Sequence, residues 1–280
     1  MERLPAVSGY FYPESKTELE KMIRSFFESE QGAFDRLQYN HTTSLNGVVC
    51  PHAGYLFSGG VAAWSFYSLS RCEPVDTLVI IGPNHRGLGK RVALSSAEHW
   101  LTPLGKMEVD LESVDFLVSQ DPIFSIDNRA HLHEHSVEVQ IPMLQYCIPY
   151  PVRILPIILL DQTEENALRM AQSLFQLAQR KKIAIIASSD FSHYEDDSVI
   201  REKDLACISQ IINLQTPAFY SLMRKLGASI CGPGGIATLM EFQKFHHSSS
   251  PSLLHYATSG DINGQYDQVV GYASLLFPKK

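Results

Sequence analysis

Apolar positions along the chain fall into two kinds of run. Ser15 and Glu18 have the spacing of a capping box, and Leu19, Met22, Ile23, Phe26 and Phe27 then recur every three or four positions. An early amphipathic helix is expected, with that stripe packed on something apolar. Gly47 to Cys50, Val75 to Gly82, Val152 to Leu160 and Ile183 to Ser188 are instead short and almost continuously apolar. Such strands have no face to show to water and read as the centre of a sheet covered on both sides. Helical patterns lie between them at Gly60 to Leu69, Glu134 to Tyr146 and Thr163 to Lys182, the last opened by Asp161 and Glu164 as a second capping box. Later, Thr216-Pro217 has the N-cap and N1 order of a helix that Gly227 stops. Leu253 to Ser259 and Gln268 to Phe277 flank the turn Gly260 to Gly264 as a hairpin or a pair across the sheet edge. Strands alternating with helices, with no linker or repeat between them, predict one α/β domain over residues 1–280. It has three layers, a central, mainly parallel or mixed sheet flanked by helices.

Composition narrows the function classes. A chain of 280 residues with 45% hydrophobic content buries a core large enough to need no metal or disulfide staple. Its cysteines, Cys50, Cys72, Cys147, Cys207 and Cys231, are scattered without a Cys-x-x-Cys pair, so a reduced compartment is the expectation. The start has no basic-then-apolar leader and no stretch is long enough to span a bilayer, which makes the protein cytoplasmic on this reading. Formal charge is −7, and only Arg180 to Lys182 and the terminal Lys279 and Lys280 cluster. Nucleic acid lacks its electrostatic footprint; small molecules or proteins are the expected partners.

Reactive side chains gather where apolar runs end. Val48 to Cys50 leads into Pro51-His52-Ala53-Gly54-Tyr55, and Leu78 to Ile81 leads into Gly82-Pro83-Asn84-His85. Ile183 to Ala187 leads into Ser188-Ser189-Asp190-Phe191-Ser192-His193-Tyr194. Ala228 to Ile230 leads into Cys231-Gly232-Pro233-Gly234-Gly235 and an apolar helix, whose amides and dipole should favour an easily formed thiolate. Open α/β sheets bind ligands at the carboxyl ends of their strands. Two neutral imidazoles and one anion, with other positions open, describe the facial arrangement of non-haem iron sites, and a thiolate can supply the anion, so the four loops together read as a metal or catalytic site. The segment His131 to Glu138 carries further histidines; His135 and Glu138 share one face if a helix begins there, and the pair reads either as a polar helix start or as a face towards metal ligands or substrate. His41, His99, His246, His247 and His255 read as surface or internally satisfied residues, and the four cysteines other than Cys231 as small buried hydrophobes.

Taken together, Pro51-His52-Ala53-Gly54-Tyr55, Gly82-Pro83-Asn84-His85, Glu134-His135-Ser136 with Glu138 and Pro142, Ser188 to Tyr194 and Cys231-Gly232 resemble the Memo family, whose bacterial and archaeal members are called AmmeMemoRadiSam system protein B. The likeness runs from Arg3-Leu4-Pro5-Ala6-Val7-Ser8-Gly9-Tyr10-Phe11-Tyr12-Pro13 to Ser259-Gly260-Asp261 and Val270-Gly271-Tyr272-Ala273-Ser274. It implies a fold related to the LigB subunit of class III extradiol dioxygenases, in which two histidines and a glutamate hold ferrous iron. Position by position, His52 and His85 match the histidine ligands, Cys231 stands in the glutamate's place, and His193 matches the acid/base residue, with Asp190 lining the same cleft. The resemblance also implies iron or copper, redox activity and phosphotyrosine-peptide binding in animal members, and company with an AMMECR1-like protein and a radical-SAM enzyme.

On this reading iron(II) is the first expectation, and the substrate is a small aromatic or enediol-like molecule on which His193 moves protons, with Asp190 able to orient it. Cys231 departs from the dioxygenase pattern, because a thiolate is softer than a carboxylate and raises the relative preference for copper(I) or zinc. The alternatives are a metal-binding redox protein or a cleft that binds an aromatic or phosphorylated peptide without turnover. A thiol enzyme using Cys231 and His193 is the third.

Overall fold

The computed structural model of the protein describes residues 1–28 and 44–279, so His41 and Lys280 lie outside the described residues. In chain order the strands are β1 (Glu2–Arg3), β2 (Leu45–Cys50), β3 (Thr77–Pro83), β4 (Val92–Leu94), β5 (His99–Thr102), β6 (Gly105–Glu108), β7 (Phe124–Ile126), β8 (Arg153–Leu159), β9 (Ile183–Ser188), β10 (His193–Glu195), β11 (Ser252–Thr258) and β12 (Val269–Pro278). One sheet runs in the order β10-β12-β2-β9-β3-β8-β4-β7, with β11 paired to β12, and β1, β5 and β6 form a small second sheet. The inner strands β2, β9, β3 and β8 are parallel, and antiparallel β12 and β4 flank them. The sheet is therefore mixed, with a parallel centre. β2, β3 and β9 are buried along their whole length, as continuous apolar runs require when helices cover both faces.

Helices Lys16–Glu28, Tyr55–Ser70 and Gln140–Cys147 pack together in one layer, and helices Glu164–Ala178, Thr216–Leu226 and Pro233–Phe245 in the other. Leu19, Ile23 and Phe27 are the buried stripe of the first helix, as its spacing predicts. Two close approaches shape the region above the sheet. A Cβ on Gly82 would come within 2.4 Å of Ser136 Oγ, and one on Gly232 within 2.6 Å of the Ser188 carbonyl oxygen. Glycine at these positions lets the 134–139 segment press on the end of β3 and the Cys231 loop press on the end of β9.

Several expected boundaries move. The helix expected from Glu134 begins at Gln140, because residues 134–139 form tight turns whose side chains are committed to neighbouring segments. Thr163, not Asp161, caps helix Glu164–Ala178, since its side chain accepts from Asn166 N. Helix Thr216–Leu226 takes Gln215 as its N-cap, with Pro217 inside the first turn and Gly227 ending it at φ 63°. Elements not anticipated are β1, β4 to β7, helix Leu111–Gln120, β10, helix Asp197–Ile212 and, within the expected turn, the short helix Gly260–Asn263.

Asp110 ties this middle region to the sheet. Fully buried, it accepts from Ser113 N at 3.2 Å as N-cap of helix Leu111–Gln120, from the Thr77 hydroxyl on β3, and from Lys181 Nζ at 2.9 Å. Burial alone would raise its pKa, but the bonds from Ser113, Thr77 and Lys181 outweigh it and lower the value to about 2 from 3.8. Because the folded state favours the carboxylate, this stability is complete above the unfolded value and disappears as pH falls through the folded one. Asp110→Asn is expected to cost about 2 kcal/mol at pH 7, from the size of the shift. Urea unfolding followed downward in pH should show the gap to the unaltered protein closing between about pH 4 and pH 2; a gap independent of pH would remove the charge from the account.

Candidate metal centre

Strand β9 lies between β2 and β3, and all three run the same way, so their carboxyl ends emerge side by side. His52 follows β2, Asp190 follows β9 and His85 follows β3. Cys231 enters from above, on the turn before helix Pro233–Phe245. One ligand atom from each of His52, His85 and Cys231 lies within 4.8 Å of the others, and Cys231 Sγ is 3.2 Å from His52 Nε2.

Hydrogen bonds determine which nitrogen of each imidazole is bare. The Ser136 carbonyl only accepts, so the Ser188 hydroxyl 2.6 Å away gives its single proton there. Ser188 Oγ then accepts from Gln140 Nε2 and from His52 Nδ1, each at 2.9 Å, which leaves the lone pair of His52 Nε2 facing the sulfur. Burial, with His135 and His85 nearby, holds the His52 pKa well below its ordinary value. For His85 a carboxylate does the same work. Glu134 accepts the His85 backbone N–H at 2.6 Å and the ring Nδ1–H at 2.9 Å, together with the amides of His135 and Ser136. Burial pushes Glu134 upward, yet its bond and charge interaction with His85 and its other donors bring it down to about 2. The ring of His85 is thereby held with Nε2 free.

Asp190 and Cys231 share a buried corner. Asp190 Oδ1 accepts from the amides of His52 at 2.8 Å and Ala53 at 3.3 Å, and burial outweighs these bonds to raise its pKa to about 6. Cys231 Sγ accepts from Asp190 N at 3.2 Å. The expectation of an easily formed thiolate is corrected here: burial, then the Asp190 carboxylate, push the thiol well up, and the amides do not compensate. A cation beside the sulfur is what would stabilise the anion.

His193 stands across the cleft. Its amide donates to Ser229 Oγ at 2.8 Å and its Nδ1 to the Ser229 carbonyl at 2.9 Å, so Nε2 carries the lone pair. The next residue, Tyr194, has φ 61°, a left-handed conformation rare outside glycine, at a register shift between β10 and β12. His135 stacks on His85 at 4.6 Å between ring centres and lies 4.6 Å from the Phe11 ring. Its partner in the sequence argument, Glu138, is elsewhere. Fully buried, Glu138 pairs with Arg3, accepts from the amides of Ala6 and Val7 and takes the Tyr12 hydroxyl at 2.6 Å. His52, His85, His135, Asp190, His193 and Cys231 line one cavity of about 700 Å3, walled by Phe11, Phe57 and Tyr272; Glu138 does not. Sequence reasoning gave no role to Glu134 and Ser188, which entered only as members of motifs, or to Gln140, which gave no signal.

The donor set fits a metal ion: two imidazoles with bare Nε2 atoms and a sulfur converge, and each imidazole is oriented from behind. His85, Glu134 and His135 also come within 4.8 Å of one another, but both Glu134 oxygens already accept N–H groups.

A family model described as "Memo-like protein" matches residues 3–276. A MEMO1 family protein of Nitrosopumilus maritimus is 40% identical over 277 residues, covering 99% of this chain and 100% of the relative. One from Desulfurococcus amylolyticus is 41% identical over 280 residues, covering 99% of each. One from Methanopyrus kandleri is 40% identical over 280 residues with the same coverage.

Removal of the carboxylate behind His85 tests whether the arrangement is built for an ion. Glu134→Ala is expected to lower zinc(II) affinity about 10- to 100-fold, measured by competition with a chromophoric chelator. Equal affinity in the variant would mean that His85 needs no such orientation.

Proposed function

The chain belongs to the Memo family, and from that premise we propose that it holds a single transition-metal ion on His52, His85 and Cys231 and uses it for oxidative chemistry on a small aromatic or enediol-like molecule. The observation that carries the proposal is the convergence of three donor atoms within 4.8 Å at the base of an open cleft. Iron(II) accords with dioxygenase-type chemistry; the thiolate of Cys231 is the feature that admits copper, or zinc in a non-redox role. When bound, the ion supplies a Lewis acid with open positions and, as iron or copper, an electron source.

The chain's own residues do the rest. His52 and His85 present fixed lone pairs, so no reorientation accompanies binding. Asp190 fixes the backbone of the His52 turn. His193 accepts a proton at Nε2 from a hydroxyl in the cavity, and the Ser229 carbonyl steadies the resulting cation through Nδ1. Phe11 and Phe57 keep bulk water from one wall. A second reading, a redox or ligand-binding module that uses the same cleft without turnover, is favoured by the soft sulfur ligand.

Elemental analysis of protein purified without air or added metal separates these readings. Near-stoichiometric iron or copper is expected, lost in His52→Ala and Cys231→Ser. His193→Ala should retain the ion while oxygen consumption with catechol falls at least ~100-fold. Metal without oxygen consumption would leave the non-catalytic module, and no uptake even after anaerobic loading would overturn the metal site.

A further inference from the structure

The polar groups that the cleft leaves uncommitted are neutral. Among the described residues that line it there is no lysine or arginine, and its one carboxylate is Asp190. A carboxylate or phosphate inside would therefore lose its hydration without gaining a side-chain counter-charge, and would face Asp190. The walls are instead apolar and aromatic: Phe11, Phe57, Val270 and Tyr272.

Tyr272 is the residue of the closing Val270-Gly271-Tyr272-Ala273-Ser274 motif that the metal site does not explain. It sits on β12, and the bonds from Phe191 N to the Gly271 carbonyl at 2.8 Å and from Gly271 N to the Ser192 carbonyl at 2.9 Å clamp β12 to the loop that carries Asp190 and His193. The side chain is 2% exposed and lines the cavity, yet its hydroxyl has no hydrogen-bond partner among the described residues. The hydroxyl oxygen is not sealed inside the protein but opens on the cavity, where a ligand oxygen can meet it. On β10, which pairs with β12, His193 lies opposite Val270, and its bare Nε2 is another uncommitted polar atom of the cleft. The lining also carries His135, Ser259, Asn263 and Gln268, but the Tyr272 hydroxyl and the His193 Nε2 come from paired strands beside apolar and aromatic walls, an arrangement that matches a flat ring with hydroxyl substituents.

We propose that the cleft takes an uncharged aromatic diol, a catechol without carboxylate or phosphate, and that Tyr272 anchors one of its oxygens. The proposal rests on the metal-cleft reading above and narrows its substrate class; it also disfavours a phosphorylated peptide as occupant.

Protein loaded with zinc(II), which prevents redox turnover, is titrated calorimetrically with catechol and with 3,4-dihydroxybenzoate at pH 7. Catechol is expected to bind at least ~10-fold more tightly. Tyr272→Phe should weaken catechol binding by a similar factor, with bound zinc and thermal midpoint unchanged, since the hydroxyl has no partner in the protein to lose. Equal or tighter binding of the carboxylate, or an unaffected Tyr272→Phe, overturns this proposal while the metal site stands. Full zinc occupancy with no binding of either compound overturns it together with the substrate reading. Protein that takes up no zinc is titrated as it is, and failure to bind catechol there overturns both proposals.

Discussion

Three parallel strands that end side by side are the constraint on which the cleft depends. Neighbouring strands are about 4.8 Å apart, so the ends of β2 and β3, with β9 between them, are separated by roughly 10 Å. That gap suits two histidines reaching towards each other from the outer strands. The middle strand contributes small groups, Ser188 and Ser189, before Asp190. Its modest bulk leaves room for Cys231 to descend from the opposite loop, and Gly232 permits the approach because any Cβ there would strike the end of β9. Donor convergence thus follows from strand order and side-chain size. No long-range rearrangement is required.

The two imidazoles reach the same state by different means, and the difference has chemical content. His52 is oriented by a neutral hydroxyl whose only proton is already given to Ser136, within a wholly buried network. His85 is oriented by an anionic carboxylate, which makes its Nε2 the more electron-rich donor, and it stands at the exposed side of the site. A site with one buried, neutral-backed ligand and one accessible, anion-backed ligand is asymmetric before anything binds. His85 is the more exposed of the two imidazoles and His52 the buried one.

The four principal parallel strands and the strand-end positions of His52, His85 and Asp190 were legible because both depend on local pattern: continuous apolar runs, then turn residues and reactive groups. Cys231 also follows an apolar run, but residues 228–230 form no strand, and it lies on the turn before a helix. What was not legible depends on contacts distant in sequence. Helix Asp197–Ile212 buries Ile200, Asp204, Cys207, Ile208 and Ile211, and the buried aspartate interrupts the apolar stripe that would have announced it. Asp204 is there because Tyr256 and the Ser192 amide bond to it, neither of which is near in sequence. Strands β4 and β7 have three residues each, too short for any periodicity to register. The chemistry of Cys231 misled for a related reason: a helix start was visible in the sequence, but the burial that dominates the thiol was not.

The position of Glu138 has a structural meaning of its own. Read as part of a helix, residues 135 and 138 share a face; in the turns that replace the helix, Glu134 bonds to His85 and Glu138 to Arg3. Glu138 nevertheless acts on the cleft at one remove. Its carboxylate gathers Arg3, the amides of Ala6 and Val7 and the Tyr12 hydroxyl, so the N-terminal segment is fastened at both ends of a stretch that includes Phe11. Arg3 is fully engaged as well, donating to the carbonyls of His131 and Glu134, and its guanidinium lies over Trp100. Breaking a buried pair of this kind typically costs about 3–5 kcal/mol, because a charge is left without a partner. The Phe11 carbonyl meanwhile accepts from Tyr55 N at 2.7 Å, and its ring packs against His135. One short stretch thus contains two glutamates with complementary effects: Glu134 orients a metal-ligand candidate directly, and Glu138 holds in place the aromatic wall that faces it.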